Sequence, residues 1–215
     1  MKRITLTDVT AVVAVAIVIA GTGKTFGSFA NTVDLSEGMV SYEQSNDSTQ
    51  ELVLPEKELQ EVFEVLFIQR TDPPVPMLDF SLKDLQGEKV NTETLRGKFL
   101  WVNFWNTGCP PCVEEIPSMQ EVWEQFGGDA FILLAVAVGE TKNSVLSFLE
   151  KNELRLTFPV LLDTAGKVFR MYGARYFPTN LFIDPQGNII GVAIGGREWD
   201  NEEFRIFLEK ISSNP

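Results

Sequence analysis

The chain has 215 residues, a net charge of −12 and a hydrophobic fraction of 44%. This length and apolar content are typical of one folded domain with an appended segment, and they exclude a disordered chain. The acidic charge disfavours an interface with nucleic acid or with anionic lipid headgroups. The sequence contains no histidine, which excludes Ser-His-Asp and Cys-His catalysis, histidine-bound zinc or copper, and histidine-ligated haem.

Residues 1–30 have the pattern of an export signal. Lys2 and Arg3 precede the apolar run 9–20. This run is shorter than the ~20 residues of a comfortable transmembrane helix, but it suits the core of a signal sequence. Ser28 and Ala30 place small residues where a signal peptidase would cut. The pattern therefore predicts export, either with cleavage of a signal peptide or with retention as a signal anchor, and a buried core helix is the alternative.

Residues 31–72 are predicted to form an acidic linker that contains one amphipathic helix. The composition is polar and acidic to about residue 50. Apolar residues then recur at helical spacing, namely Leu59, Val62, Phe63, Leu66 and Phe67. We expect this stripe to pack on the main domain, with docking to a partner as the alternative. The prolines of "TDPPVP" (71–76) cannot continue a helix and predict a domain boundary, with the main domain at 73–215.

The rest of the chain alternates between apolar segments and amphipathic helices. Short alternating segments on either side of Gln86-Gly87 indicate a β-hairpin. Apolar runs predict buried strands at 99–105 and 130–138, and two further strands are predicted within 179–195. Helices are predicted over 109–126, 141–154, 165–174 and 201–211. This order predicts a mixed central sheet with helices on both faces, an α/β fold.

The only two cysteines, Cys109 and Cys112, lie where the strand 99–105 gives way to a helix. Unpaired amide groups and the helix dipole favour an anion at this position, so Cys109 is the predicted nucleophilic thiolate. Cys112 lies one turn further along the helix, where it can resolve a mixed disulfide. The prolines between them are tolerated because the first helical turn has no amide partner to lose.

Other uses of the cysteine pair fit the sequence less well. A zinc site needs about four ligands, and the chain has no histidine and no third cysteine. Haem attachment would require histidine at position 113, where valine stands. A purely structural disulfide that closes so short a loop would restrain the unfolded chain very little. The sequence therefore predicts a redox dithiol that uses no metal and no cofactor.

Two segments, "VNFWNTGCPPCVEEIP" (102–117) and "YFPTNLFIDPQGNII" (176–190), resemble the TlpA/ResA type of thioredoxin-like protein. These relatives are exported and often membrane-tethered thiol-disulfide oxidoreductases, and the resemblance covers roughly residues 74–212. It implies a thioredoxin-like fold with an extra N-terminal β-hairpin and an insert between the central strand and a helix. It also implies a cis peptide bond at Pro178, which faces the cysteines, so that the Phe177 main chain and the adjoining Thr179 contact a substrate peptide.

The resemblance also assigns the proton acceptor. Asn103, which cannot titrate, aligns with the buried aspartate of thioredoxin, and Glu115 takes its place in TlpA/ResA-like proteins. Glu115 is then predicted to accept the Cys112 proton, with a pKa raised by burial. A solvated acid in the first helical turn is the alternative. Glu114 is predicted to be the exposed member of the pair.

Gly108 departs from the family pattern, in which an aromatic residue precedes the first cysteine. We expect it to widen access to Cys109 or to loosen the loop. Trp105, the last residue of the predicted strand 99–105, is included among the candidate substrate contacts, although packing is the more natural role for a residue on a buried strand.

The direction of electron flow follows from what surrounds the thiols. Strong oxidants often carry a histidine inside the CxxC motif, and Pro110 here also removes an amide donor, so the Cys109 thiolate is only moderately stabilised. The sequence therefore predicts a reductant. The resemblance implies exported disulfide-bearing substrates, such as the cysteines of apocytochrome c, and a membrane electron donor. The membrane itself is contacted only through the N-terminal segment.

Two other functions remain open from the sequence. One is a peroxiredoxin-like thiol peroxidase that uses sulfenic acid chemistry at Cys109. The other is a redox-silent tethered module that docks partners through residues 55–70.

Overall fold

A computed structural model describes residues 53–213, which form a mixed α/β unit on one eight-stranded sheet. The strands are β1 (Gln69–Pro76), β2 (Ser81–Asp84), β3 (Lys89–Asn91), β4 (Phe99–Trp105), β5 (Phe131–Val138), β6 (Val160–Asp163), β7 (Thr179–Ile183) and β8 (Asn188–Ile194). The helices are α1 (Glu56–Val65), α2 (Pro110–Phe126), α3 (Lys142–Lys151), α4 (Lys167–Met171) and α5 (Glu202–Ser213). The spatial order of the strands is β1-β8-β7-β4-β5-β6-β2-β3.

Strand β4 lies at the centre of the sheet and is buried along its whole length. It runs parallel to β5 and antiparallel to β7. Because side chains alternate along a strand, Phe99, Trp101 and Trp105 enter one core while Leu100, Val102 and Phe104 enter the other. Helices α1, α2, α3 and α5 cover the first core and α4 packs on the second. The prediction of a mixed sheet with helices on both faces is therefore confirmed.

The predicted hairpin is also present. Strands β2 and β3 are antiparallel and are joined through Gln86-Gly87, and β2 continues the sheet beyond β6. Strand β6 is not among the strands predicted from the sequence, because its apolar run is only a few residues long. Together with α3, it occupies the stretch between β5 and α4, where it extends the parallel part of the sheet.

The prolines at 71–76 do not separate two domains. Residues 69–76 form edge strand β1, which pairs antiparallel with β8 and has an irregular register between Arg70 and Val75. An edge strand tolerates proline because one of its sides has no ladder partner. The Asp72–Pro73 peptide bond is also cis, whereas the sequence predicted a cis bond only at Pro178. The sheet therefore begins before residue 73.

Helix α1 belongs to the same packed unit, as its apolar stripe predicted. Leu59, Val62 and Phe63 are buried, and the Phe63 ring centroid lies 5.8 Å from that of Phe182 on β7. Gly191 on β8 makes this approach possible, because a Cβ atom there would lie 2.5 Å from the Phe63 ring. Phe67 is the exception to the predicted stripe, since it lies beyond the end of α1 and is 87% exposed.

The predicted export segment 1–30 and most of the predicted acidic linker lie outside the described residues. Within residues 53–213, no helix combines the length and the apolar character needed to cross a membrane.

We predict that Phe63→Ala lowers the free energy of unfolding by about 3–5 kcal/mol, because it leaves a cavity between α1 and the sheet. Phe67→Ala is the matched control, and its exposed ring predicts a change within about 0.5 kcal/mol. Urea unfolding followed by circular dichroism measures both values. Equal stabilities for the two variants would contradict the packing of α1 described above.

Candidate active site

Cys109 and Cys112 form a disulfide at the N-terminus of α2, with their Cα atoms 5.3 Å apart. Cys109 occupies the N-cap position directly after the loop that leaves β4, and Cys112 lies one helical turn further. Cys109 is half-buried, whereas Cys112 is fully buried. Cys109 is therefore the member of the pair with surface open to solvent, and its role as the nucleophile stays a prediction.

The loop that presents Cys109 is held by hydrogen bonds from side chains that are not among the predicted site residues. The Asn106 side-chain amide donates to the Val138 carbonyl (3.0 Å) and its Oδ1 atom accepts the Gly108 amide hydrogen (2.9 Å). Thr107 donates to the Glu140 carboxylate through its main-chain amide (3.2 Å) and its hydroxyl. Asparagine directly after a strand commonly forms such a local turn, so the position of Asn106 is a sequence signal that could have predicted this loop.

Gly108, next to Cys109, is exposed, and its predicted contact with a substrate stays a prediction. A Cβ atom at this position would lie 3.2 Å from Asn106 Oδ1, a close contact. The absence of a side chain thus fits the tight turn before Cys109.

Glu115 is the central group behind the disulfide. Its side chain is on the buried face of α2, three residues after Cys112, and the residue is 1% exposed. Its Oε1 atom accepts a hydrogen bond from Asn103 Nδ2 (2.7 Å) and its Oε2 atom accepts one from Trp199 Nε1 (2.9 Å). Burial raises the pKa of Glu115 to about 7, although these hydrogen bonds, a further one from the Arg197 main-chain amide and, last, the charge of Arg197 oppose the rise. The predicted burial and the direction of the pKa shift are therefore present, and Glu114 is exposed.

Asn103 extends the buried polar contacts across the sheet. The second hydrogen of its amide goes to Asn180 Oδ1 on β7 (2.7 Å), an atom that also accepts from Trp101 Nε1 (2.7 Å). Neither Asn180 nor Trp199 was selected from the sequence, because each lies more than sixty residues from the CxxC motif and shows no local pattern. They converge on Glu115 and Asn103 only through the tertiary fold.

The Phe177–Pro178 peptide bond is cis, as the resemblance implied. Because Phe104 on β4 pairs with Thr179 on β7, the cis-proline and the end of β4 lie at the same edge of the sheet. Phe177 is half-buried and stacks on Phe169, with ring centroids 4.7 Å apart. The cis-proline turn therefore lies at the sheet edge from which the cysteine loop leaves β4, and contact of the Phe177 main chain with a substrate stays a prediction.

Two predicted substrate contacts, Trp105 and Thr179, are buried and contact other residues of the protein. Trp105 is 2% exposed and packs near Phe148, so its ring is not accessible to a substrate, and packing is its role. Thr179 is 4% exposed, and its hydroxyl donates to the Tyr176 carbonyl (2.7 Å). Thr179 therefore shapes the cis-proline turn but does not present its side chain to solvent.

The start of α2 is backed by the segment that follows β8. A Cβ atom at Gly196 would lie 2.3 Å from the Pro111 carbonyl oxygen, so only glycine fits at this approach. The same segment carries Arg197 and Trp199, and Trp199 contacts Glu115. The CxxC helix start and its buried acid are thus supported by one short stretch of chain.

A central strand, a CxxC helix start and a cis-proline at the same edge of the sheet together define a thioredoxin-like dithiol protein. The sequence matches the AhpC/TSA family over residues 74–192, more than half of the chain. The chain belongs to this family and, as the sequence resemblance predicted, to its ResA-like thiol-disulfide oxidoreductases.

Individual relatives agree with this assignment. The chain is 34% identical to the thiol-disulfide oxidoreductase ResA of Bacillus thuringiensis (strain Al Hakam) over 134 residues, which cover 62% of this chain and 75% of ResA. Among solved structures, a thiol:disulfide interchange protein of Chlorobium tepidum TLS is 31% identical with a TM-score of 0.52, covering 63% of this chain and 97% of the other. StoA from Bacillus subtilis is 26% identical with a TM-score of 0.50, and the match covers 66% and 98% of the two chains.

We predict that the Glu115 carboxyl makes the oxidised protein less stable as the pH rises from 5 to 8. The unfolded chain loses this proton near its ordinary pKa of 4.5, whereas the folded protein keeps it up to about pH 7. Deprotonation of Glu115 between pH 5 and pH 8 should therefore lower the free energy of unfolding by roughly 3 kcal/mol. Urea unfolding at both pH values should show a smaller pH difference for Glu115→Gln than for the unsubstituted protein. Glu114→Gln, the exposed neighbour, should retain the full difference, and an unchanged difference in Glu115→Gln would contradict this role of burial.

Proposed function

We propose that this thiol-disulfide oxidoreductase works as a reductant of disulfides in exported proteins. The observation that carries the proposal is the pairing of an accessible Cys109 with a shielded Cys112 in front of the buried acid Glu115. An accessible thiolate can attack a substrate, and a shielded thiol needs an internal proton acceptor before it can react.

The reaction follows from this arrangement in two steps. In the reduced protein, the Cys109 thiolate attacks one sulfur of a substrate disulfide, forming a mixed disulfide and releasing the first substrate thiolate. Glu115 then takes the Cys112 proton, and the Cys112 thiolate attacks Cys109 Sγ. The second substrate thiolate leaves, the protein disulfide forms, and two electrons have passed to the substrate. The proton on Glu115 returns to solvent before the next cycle.

The residues between the cysteines support the reducing direction. Pro110 and Pro111 have no amide hydrogen, so neither can donate to a Cys109 thiolate. A thiolate that is stabilised only moderately makes the reduced form more reactive as an electron donor.

The site of action and the partners extend this proposal. The apolar run at 9–20 after Lys2 and Arg3 supports export, with the domain in the periplasm or on the outer face of the cytoplasmic membrane. Its substrates there are disulfide-bearing exported proteins, and the cysteines of apocytochrome c, in cytochrome c maturation, are the substrate that the family resemblance favours. A membrane electron donor re-reduces the Cys109–Cys112 disulfide after each turnover.

We predict a reduction potential for the cysteine pair closer to about −270 mV, the value for thioredoxin, than to about −120 mV, the value for strong oxidants. Equilibration with glutathione or dithiothreitol buffers, followed by thiol alkylation, measures it. Pro110→His should raise the potential, because a cation inside the loop stabilises the thiolate. A potential above about −150 mV for the unsubstituted protein would exclude the reducing role.

We predict that Glu115→Gln slows the release of reduced substrate from the mixed disulfide by roughly 100-fold at pH 8. In the unsubstituted protein this rate should rise with pH through about 7, as the Glu115 carboxyl loses its proton and becomes able to accept another. Stopped-flow measurement of thiol release from a preformed mixed disulfide gives the profile. Glu114→Gln should behave like the unsubstituted protein. A full rate for Glu115→Gln would remove Glu115 from the mechanism.

A further inference from the structure

Arg197 lies in the segment that follows β8 and is half-buried. Main-chain carbonyls hold its guanidinium in one place. Nη2 donates to the carbonyls of Ile194 (2.9 Å) and Gly195 (3.2 Å). Nη1 donates to the carbonyl of Leu66, and also to that of Phe67 (3.3 Å). The cation is therefore fixed between the end of β8 and the turn after α1.

No carboxylate forms an ion pair with Arg197 within the part of the chain that the structure describes. Carbonyl groups satisfy its hydrogen atoms but do not neutralise its charge. Burial lowers the pKa of Arg197, and the charge of Glu115 acts against this by raising it. Glu115 is thus the acidic group whose charge is felt by this partly buried cation.

Trp199 connects the two groups physically. The guanidinium carbon of Arg197 lies 5.2 Å from the centroid of the indole ring, and the edge of the ring donates its Nε1 hydrogen to Glu115 Oε2 (2.9 Å). A cation over the face and a carboxylate at the N–H edge each match the charge distribution of an aromatic ring, so each contact strengthens the other. The indole is also fixed by Trp101, with ring centroids 4.5 Å apart, and by a main-chain hydrogen bond to Ser118 Oγ (3.1 Å).

We propose that Arg197 is a positioning residue for Glu115, which holds Trp199 against the carboxylate and stabilises the charged form that accepts the Cys112 proton. The expected change in the rate of thiol release rests on the function proposed above, whereas the expected change in the titration of Glu115 does not. Without this cation, burial would act on the carboxyl with less opposition, and the group would be protonated over more of the neutral pH range.

The surroundings of Glu115 favour a specific effect of Arg197. The other side chains that donate to it or lie behind it, Asn103 from β4, Asn180 from β7 and Trp199, are neutral. On α2 itself, Cys112 is the titratable neighbour, and it carries no proton while it is in the disulfide. In the oxidised protein, Arg197 is therefore the charged side chain that acts on Glu115.

The test is a ¹³C NMR titration of the Glu115 carboxyl in the oxidised full-length protein. Arg197→Gln keeps hydrogen-bond donors for the carbonyls and removes the charge, and Arg197→Lys keeps the charge. We expect the Gln variant to raise the titration midpoint by roughly one pH unit, and the Lys variant to stay near the unsubstituted value. Arg155→Met, at an exposed arginine, controls for the change in net charge and should leave the midpoint unchanged. Arg197→Met is the second neutral variant, to be titrated if the Gln variant does not fold.

An unchanged or lower midpoint in the neutral variant would overturn the proposal, as would an equal rise in the Lys variant.

A kinetic experiment tests the same proposal through the rate of thiol release from the mixed disulfide at pH 7. This rate should fall about fivefold in Arg197→Gln, because about a tenth of the Glu115 carboxyl groups are then ionised, compared with about half in the unsubstituted protein. In a Glu115→Gln background, the Arg197 substitution should cause no further shift of the pH profile. If Glu115→Gln alone leaves the profile intact, the proposed mechanism fails, and the NMR midpoint still decides the role of Arg197.

Discussion

A carboxyl group excluded from water lies one helical turn after Cys112 on the buried face of α2, and much of the surrounding structure follows from the need to hold it there. Glu115 has no ion-pair partner among the described residues, and its two oxygens are satisfied by neutral donors, Asn103 and Trp199. Neutral donors offset only part of the cost of burying a charge, so the proton affinity of the group rises to near neutrality. A carboxyl with this affinity can both accept and release a proton at physiological pH, which is what a resolving thiol requires.

The same constraint explains the chemistry of the central strand. An aspartate at position 103 would place a second ionisable acid against Glu115, and the two would compete for one proton. Asparagine instead uses one amide hydrogen for Glu115 and the other for Asn180, whose oxygen also receives the Trp101 indole hydrogen. The rings of Trp101 and Trp199 beside this chain of hydrogen bonds are fully buried, so water is excluded from the acid.

The sequence predicted those parts of the fold and the site whose patterns span only a few neighbouring residues. Long apolar runs identified β4 and β5, and the CxxC motif before a helix identified the redox pair, because these patterns span only a few residues. Glu115 required the family resemblance. Strand β1 was missed because its prolines resemble a linker, and β6 because it is short. The supporting residues at the site were also missed, since only tertiary packing brings them to the cysteines; they are Glu140, Asn180, Arg197 and Trp199.

The packing of α1 has a consequence for how the domain can be divided. Phe63 covers Gly191 and meets Phe182, and Phe182 in turn stacks on Trp101 beside the buried acid. The turn after α1 supplies the carbonyl of Leu66 that anchors the guanidinium beside Trp199. Helix α1 thus packs into the core that contains Trp101 and Trp199, and the turn that follows it holds the Arg197 guanidinium. A chain cut at the prolines would retain both cysteines, yet it would lose the packing that sets the proton chemistry behind them.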